Sequence, residues 1–152
     1  EPRLRADFIG LTFEHSREDL SRAIYEGISL SLRDVMTDFE ANGISFDTAR
    51  IIGGGAKSEA WRQIVADVLD LVIIEAVEAD ASFGAAIVAG VGTGYFPSAA
   101  DAISCRIGKQ KIYHPNPKNR QTYDDMFGIY RDAQAALKSI NIRLHKLQEK
   151  QV

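Results

Sequence analysis

Arg50-Ile51-Ile52-Gly53-Gly54-Gly55-Ala56-Lys57-Ser58 sets three glycines between an apolar run and a segment headed by a serine. Locally it reads as a short buried strand that ends in glycines and turns straight into a helix. With no side chains at the turn, another molecule's backbone or flat face can come close. The first amides of the following helix aim partial positive charge into the same gap. In an α/β sheet, ligands bind at the carboxyl ends of the strands. The chemistry indicated is therefore binding of a nucleotide or another anion. A tight strand-to-helix turn with no ligand is the competing reading, and the run alone does not separate the two.

Other chemistries are absent from the pattern. The run is not a Walker A loop, because no Gly-Lys-Ser/Thr follows at the required spacing. It is not the dinucleotide fingerprint either, because Ser58 stands where the third glycine belongs. Lys57 has the charge to meet a phosphate, although a solvated surface lysine reads equally well. Ser58 reads as a helix cap and not a nucleophile, since G-x-S-x-G is absent. Trp61 reads as core. His15, His114 and His145 are isolated, with no partner at metal-ligand spacing. Glu18, Asp19, Asp34 and Asp38 read as a solvated helix face. No catalytic base can be named.

The elements that must position the glycines follow from periodicity. A short strand is expected at Asp7–Thr12. Ser16-Arg17-Glu18-Asp19 has the capping-box form. Apolar or small residues then recur at Leu20, Ala23, Ile24, Gly27, Ile28, Val35 and Phe39, which predicts a helix of roughly 25 residues with that face buried, stopped by Gly43. Thr48–Ile52 is strand-like. Ser58 caps a helix expected to bury Trp61, Ile64, Val65 and Val68. Leu71–Ile74 reads as a parallel strand covered on both faces. Ser82 opens a helix of small residues that ends at Gly92-Thr93-Gly94, and Ser98–Asp101 repeats the capping-box pattern. Lys109–Tyr113 reads as extended. Asn116-Pro117 supplies a cap and an N1 proline for a last helix carrying Tyr123, Phe127, Tyr130, Leu137, Ile140, Leu144 and Leu147. Its apolar stripe packs on the body or on a partner. The alternation argues for an α/β layer with parallel strands. Two central strands are few for a complete sheet, so part of the fold is expected upstream of Glu1.

The 152 residues suffice for one domain with a real core. Net charge is −3, but residues 1–104 sum to −9 and residues 105–152 to +6. An exposed basic helix on an acidic body accounts for this, and neither nucleic acid nor membrane is an expected partner. The single cysteine, Cys105, excludes an internal disulfide and fits a reducing, cytoplasmic setting. No apolar run approaches the ~20 residues of a membrane span.

Three stretches together resemble the C-terminal half of the FGGY carbohydrate kinases. Ala6-Asp7-Phe8-Ile9-Gly10-Leu11, seven residues, then Asp19-Leu20-Ser21-Arg22-Ala23-Ile24-Tyr25-Glu26 fits the family's second sequence pattern. Gly53-Gly54-Gly55-Ala56-Lys57-Ser58-Glu59-Ala60-Trp61-Arg62-Gln63 looks like its adenosine motif, in the form typical of the xylulokinase branch. Ser82–Gly90 is similar to its small-residue helix near the nucleotide. The motifs cover residues 6 to about 95 in the family's order.

The resemblance implies an α/β domain, half of an actin-like ATPase (ribonuclease H-like) fold. A mostly parallel sheet, flanking helices and a long C-terminal helix go with it. Residues 1–152 would be the nucleotide-side domain of a two-domain protein, with 116–149 as a helical tail. Gly53, Gly54, Gly55 and Ala56 would floor the adenine and ribose slot of ATP, and Ser58 would support it. Mg2+, the sugar (D-xylulose as the best guess), the phosphate hairpins and the catalytic aspartate would belong mainly to a missing N-terminal domain. The chain alone is then expected to be inactive, and a homodimer is compatible with the family. The alternative is a non-catalytic nucleotide-binding or assembly module on an actin-like scaffold.

Overall fold

The structure, a computed structural model, describes residues 5–75, 81–104 and 110–149. Helix α1 spans Arg17–Ala41, strand β1 Thr48–Ile51, a 3-10 turn Gly54–Lys57, helix α2 Glu59–Leu69 and strand β2 Val72–Glu75. Helices α3 (Ala81–Gly92) and α4 (Ala99–Ser104) follow. Strand β3 (Ile112–Tyr113), a 3-10 turn (Pro117–Asn119) and helix α5 (Arg120–Glu149) complete the order. Cys105 and Lys109 lie outside the described residues. No helix among those described is long and apolar enough to cross a membrane.

Local chemistry sets the ends of α1. The Ser16 hydroxyl accepts from Asp19 N at 3.2 Å and Ser16 N donates to the Asp19 carboxylate at 2.8 Å. This reciprocal box satisfies two amides that the helix cannot. The bonds from Ser16 hold the Asp19 carboxyl below its ordinary pKa. At the other end Gly43 takes φ +78°. Gly43 N donates to Glu40 O and Ile44 N to Phe39 O, a Schellman closure.

The sheet order is β1-β2-β3. β1 and β2 are parallel, Thr48 opposite Val72 through Ile51 opposite Glu75, with α2 as the crossover. β3 joins antiparallel, Ile73 opposite Tyr113. Paired residues share a face, so Ala49, Ile51, Ile73, Glu75 and Tyr113 look toward α2. Val65, Ala66, Leu71 and Ile73 form one core cluster, with Ala49, Ile51, Trp61 and Met36 against it. The opposite side of α2 puts Ile64 and Val68 against Leu30 and Tyr123, flanked by Met126 and Phe127. α5 is clamped to the rest of the chain by ion pairs of Arg120 with Asp70, Arg131 with Asp34, and Arg33 of α1 with Asp124.

Three expectations fail, all in one direction. Asp7–Thr12 is in no strand, because no described strand lies beside it to pair with. The face of α1 expected to be buried is open: Ile24 is 52% exposed, Ile28 46% and Val35 52%. What α1 buries is Ser29 and Leu30, on the side toward α2 and α5. β2 is covered on one face only: Ile73 is fully buried, while Val72 and Ile74 are half-buried and their β1 neighbours Thr48 and Arg50 exposed. Helices pack on the Ile73 side, and the described residues supply no second layer.

Asp67 ties α2 to the entry of α5. Its buried carboxylate accepts from Gln63 Nε2 (2.8 Å), Asn116 N (2.8 Å) and Asn119 Nδ2 (2.7 Å). Asp67→Ala strands these donors in a buried site and is expected to cost about 2–4 kcal/mol, more than a typical surface change. Urea unfolding followed by circular dichroism measures it.

Candidate nucleotide site at the glycine turn

β1 delivers the chain to Gly53, which sits at φ +92°, ψ −174°, a conformation essentially reserved for glycine. One 3-10 turn over Gly54–Lys57 follows. Ser58 then returns to extended geometry and caps α2, its hydroxyl accepting from Trp61 N at 3.3 Å. Its own amide donates to Gly55 O at 3.0 Å. Gly53, Gly54, Gly55 and Lys57 are exposed and Ser58 is half-buried. The Ala56 side chain lies outside what the structure describes.

The three glycines are not equivalent. A Cβ on Gly55 would lie 2.2 Å from Trp61 Cζ3 and 2.7 Å from Cε3. Gly55 is therefore glycine because the indole lies against it. Gly53 is glycine because of its φ. Gly54 has neither reason: its φ is not in the left-handed region and a Cβ there meets nothing within 4 Å. Among the described residues nothing requires a bare backbone at Gly54.

Residues around the turn hold it in place. Trp61 packs in the sheet-side core and against Tyr25, ring centroids 6.4 Å apart. Arg62, 5% exposed, donates to Glu75 at the end of β2 at 2.6 Å and stacks on Tyr113. Gln63 donates to Asp67 and to His114 O. One cluster escaped the sequence pattern. Glu59, the first residue of α2, accepts from Lys111 Nζ at 2.6 Å and Tyr113 OH at 3.3 Å. The Lys111 bond holds the Glu59 carboxyl below its ordinary pKa and raises that of Lys111. Its partners lie about fifty positions away, and only the pairing of β3 with β2 reveals them. Lys57 makes no ion pair with a described residue.

Several other motif residues make contacts within the frame. Gly10 takes φ +81°. Glu26 accepts from Arg22 Nε (2.8 Å) and Tyr123 OH (2.9 Å), which locks α1 to α5. Burial and this bond to Glu26 raise the Tyr123 phenol pKa. α3 packs chiefly on α4, and Gly90 makes room for the Phe96 ring, 2.7 Å from where its Cβ would be. His15 Nδ1 accepts from Thr12 N, and His145 Nδ1 pairs with Arg5. No group of three or more His, Cys, Asp or Glu side chains among the described residues is placed to hold a metal.

A sequence model of the FGGY family of carbohydrate kinases, C-terminal domain, matches residues 1–93. The chain belongs to the FGGY family of carbohydrate kinases. It is 33% identical over 131 residues to a xylulose kinase of Staphylococcus epidermidis, covering 86% of this chain and 26% of that protein. Against the xylulose kinase of Bacillus subtilis it is 32% identical over 147 residues, 96% of this chain and 30% of that protein. The solved structure of ligand-bound xylulose kinase from Lactobacillus acidophilus superimposes with a TM-score of 0.76 at 28% identity, covering 90% of this chain and 28% of that one. The fold is thus the α/β, actin-like ATPase architecture of these kinases. The chain spans roughly a quarter to a third of the length of these relatives.

Gly55→Ala is expected to destabilise the chain by about 1–3 kcal/mol, because the Trp61 ring must give way inside a packed cluster. Gly54→Ala, with open space around it, is expected to be near neutral. Thermal melts of the two variants beside the parent check the contrast.

Proposed function

We propose that this chain forms the adenosine side of the cleft of an ATP-dependent sugar kinase, with a pentulose, D-xylulose, as the accepting sugar. One observation carries the reading: in a kinase-family chain, Gly54 is bare at the carboxyl end of β1 without any internal requirement. A flat base needs such a surface. Gly53, Gly54, Gly55 and Ala56 then floor the slot for adenine and ribose, and Ser58 fixes the start of α2 beneath it. The xylulose kinase names of the relatives support the choice of sugar.

Phosphoryl transfer depends mainly on positioning and on neutralising charge. This chain's share is to hold the base end of the nucleotide so that its phosphates reach across the cleft. In this reading Mg2+ sits with the phosphates and mainly with residues outside this chain. The sugar and the base that deprotonates its hydroxyl belong there as well. Closure of the two domains excludes water, so that the γ-phosphate meets the sugar hydroxyl.

In the full-length enzyme, Gly54→Val is expected to raise the KM for ATP at least tenfold while the KM for the sugar stays within about twofold. An unchanged ATP KM sinks the placement of the site. The 152-residue chain alone is expected to show no sugar-dependent ADP release with ATP, magnesium and pentuloses. Sustained turnover in a coupled assay would contradict the assignment of the catalytic groups to the missing part.

A further inference from the structure

Glu59, Lys111 and Tyr113 meet at the carboxyl edge of the sheet. Ile51, the last residue of β1, lies opposite Glu75, the last of β2, and Glu75 N donates to Lys111 O at 2.9 Å. The ends of β1 and β2 and the residue before β3 therefore line up along one edge. The glycine turn leaves the sheet from that same edge, and Glu59 opens α2 just after it. A single oxygen of Glu59, Oε1, accepts from both Lys111 Nζ and Tyr113 OH.

Stability does not account for this convergence. The Lys111 and Glu59 side chains are 61% and 64% exposed, and an ion pair so open to water adds little to a fold. Tyr113 is held in any case by the pairing of β3 with β2 and by the Arg62 guanidinium, 5.0 Å from its ring centroid. What the pair does change is the charge along the edge. A loose carboxylate at the first position of α2 would compete for the partial positive charge that the helix start offers an anion. It would also repel any anion brought to the turn. Bonded to Lys111, that carboxylate is drawn toward β3 and its charge is cancelled. Glu75 is matched in the same way, by Arg62 at 2.6 Å. Among the described residues, both carboxylates of this edge are thus met by a cation.

We propose that Lys111, assisted by Tyr113, is a positioning residue for nucleotide binding. It turns the Glu59 carboxylate toward β3 and neutralises it, so that the phosphates of ATP approach the glycine turn without repulsion. This role rests on the nucleotide placement proposed above. It adds to that placement a cation that acts through Glu59 and does not touch the nucleotide.

Steady-state kinetics of the full-length enzyme test the role. Lys111→Met is expected to raise the KM for ATP about fivefold, with kcat and the KM for the sugar within about twofold of the parent. The ratio of variant to parent KM is expected to shrink as potassium chloride is added, because salt screens the exposed Glu59 charge. Lys111→Arg, which keeps the cation, is expected to hold the parent KM. The decisive variant is Lys111→Met combined with Glu59→Gln: with no charge left to cancel, its ATP KM is expected to return to within about twofold of the parent. A merely structural role for Lys111 would show instead as a lowered thermal midpoint that Glu59→Gln does not restore. An unchanged ATP KM in Lys111→Met, or a double variant no better than the single one, overturns the role. Gly54→Val measured alongside separates the two ideas. A raised ATP KM in Gly54→Val with an unchanged one in Lys111→Met overturns the role of Lys111 alone, whereas no change in either overturns both.

Discussion

Burying α2 on almost every side is the constraint to which the other elements answer. Arg62, Ile64, Val65, Ala66, Asp67 and Val68 are all buried, so neither sheet nor helices can claim this helix alone. Its apolar residues divide between a cluster under β1 and β2 and a cluster shared with α1 and α5. Its two buried charges would be costly unpaired, and each fixes a neighbour. Arg62 ties the helix to the end of β2 through Glu75, and Asp67 ties it to the start of α5 through Asn116 and Asn119. A helix seated this firmly gives the glycine turn at its amino end a stationary base.

The residues that mark the family are for the most part the ones that hold this frame. Glu26 and Arg22 orient Tyr123 between α1 and α5, and Asp19 closes a cap. Trp61, Arg62 and Gln63, the stretch that points to the xylulokinase branch, face Gly55, Glu75 and Asp67 in turn. They speak to kinship through shared packing and say little about which sugar is taken. At the glycine turn, Gly54 meets no packing demand from the described residues.

Sequence and structure agree where the physics is local. The capping box at Ser16, the stop at Gly43, the strand before the glycines and the Ser58 cap all depend on residues within a few positions of each other. The failures are of another kind. The strand expected at Asp7–Thr12, the buried outer face of α1 and the two-sided cover of β2 each need a partner that the described residues do not supply. Hydrophobic pattern records that a face is meant to be covered, but not whether the covering residues are in the same stretch of chain. At the site, the glycine run was legible at once. The Glu59–Lys111–Tyr113 cluster beside it was not, because its members meet only when β3 pairs with β2.

Trp61 is the only tryptophan in the chain, and its six-membered ring lies directly against Gly55, two residues from the edge of the turn. Any molecule that shifts the Gly53–Gly55 backbone also changes the packing and polarity around that indole. The glycine turn is in this way coupled to the chain's one strong intrinsic fluorophore, so that a displacement of its backbone registers in the ultraviolet emission of the protein without any label.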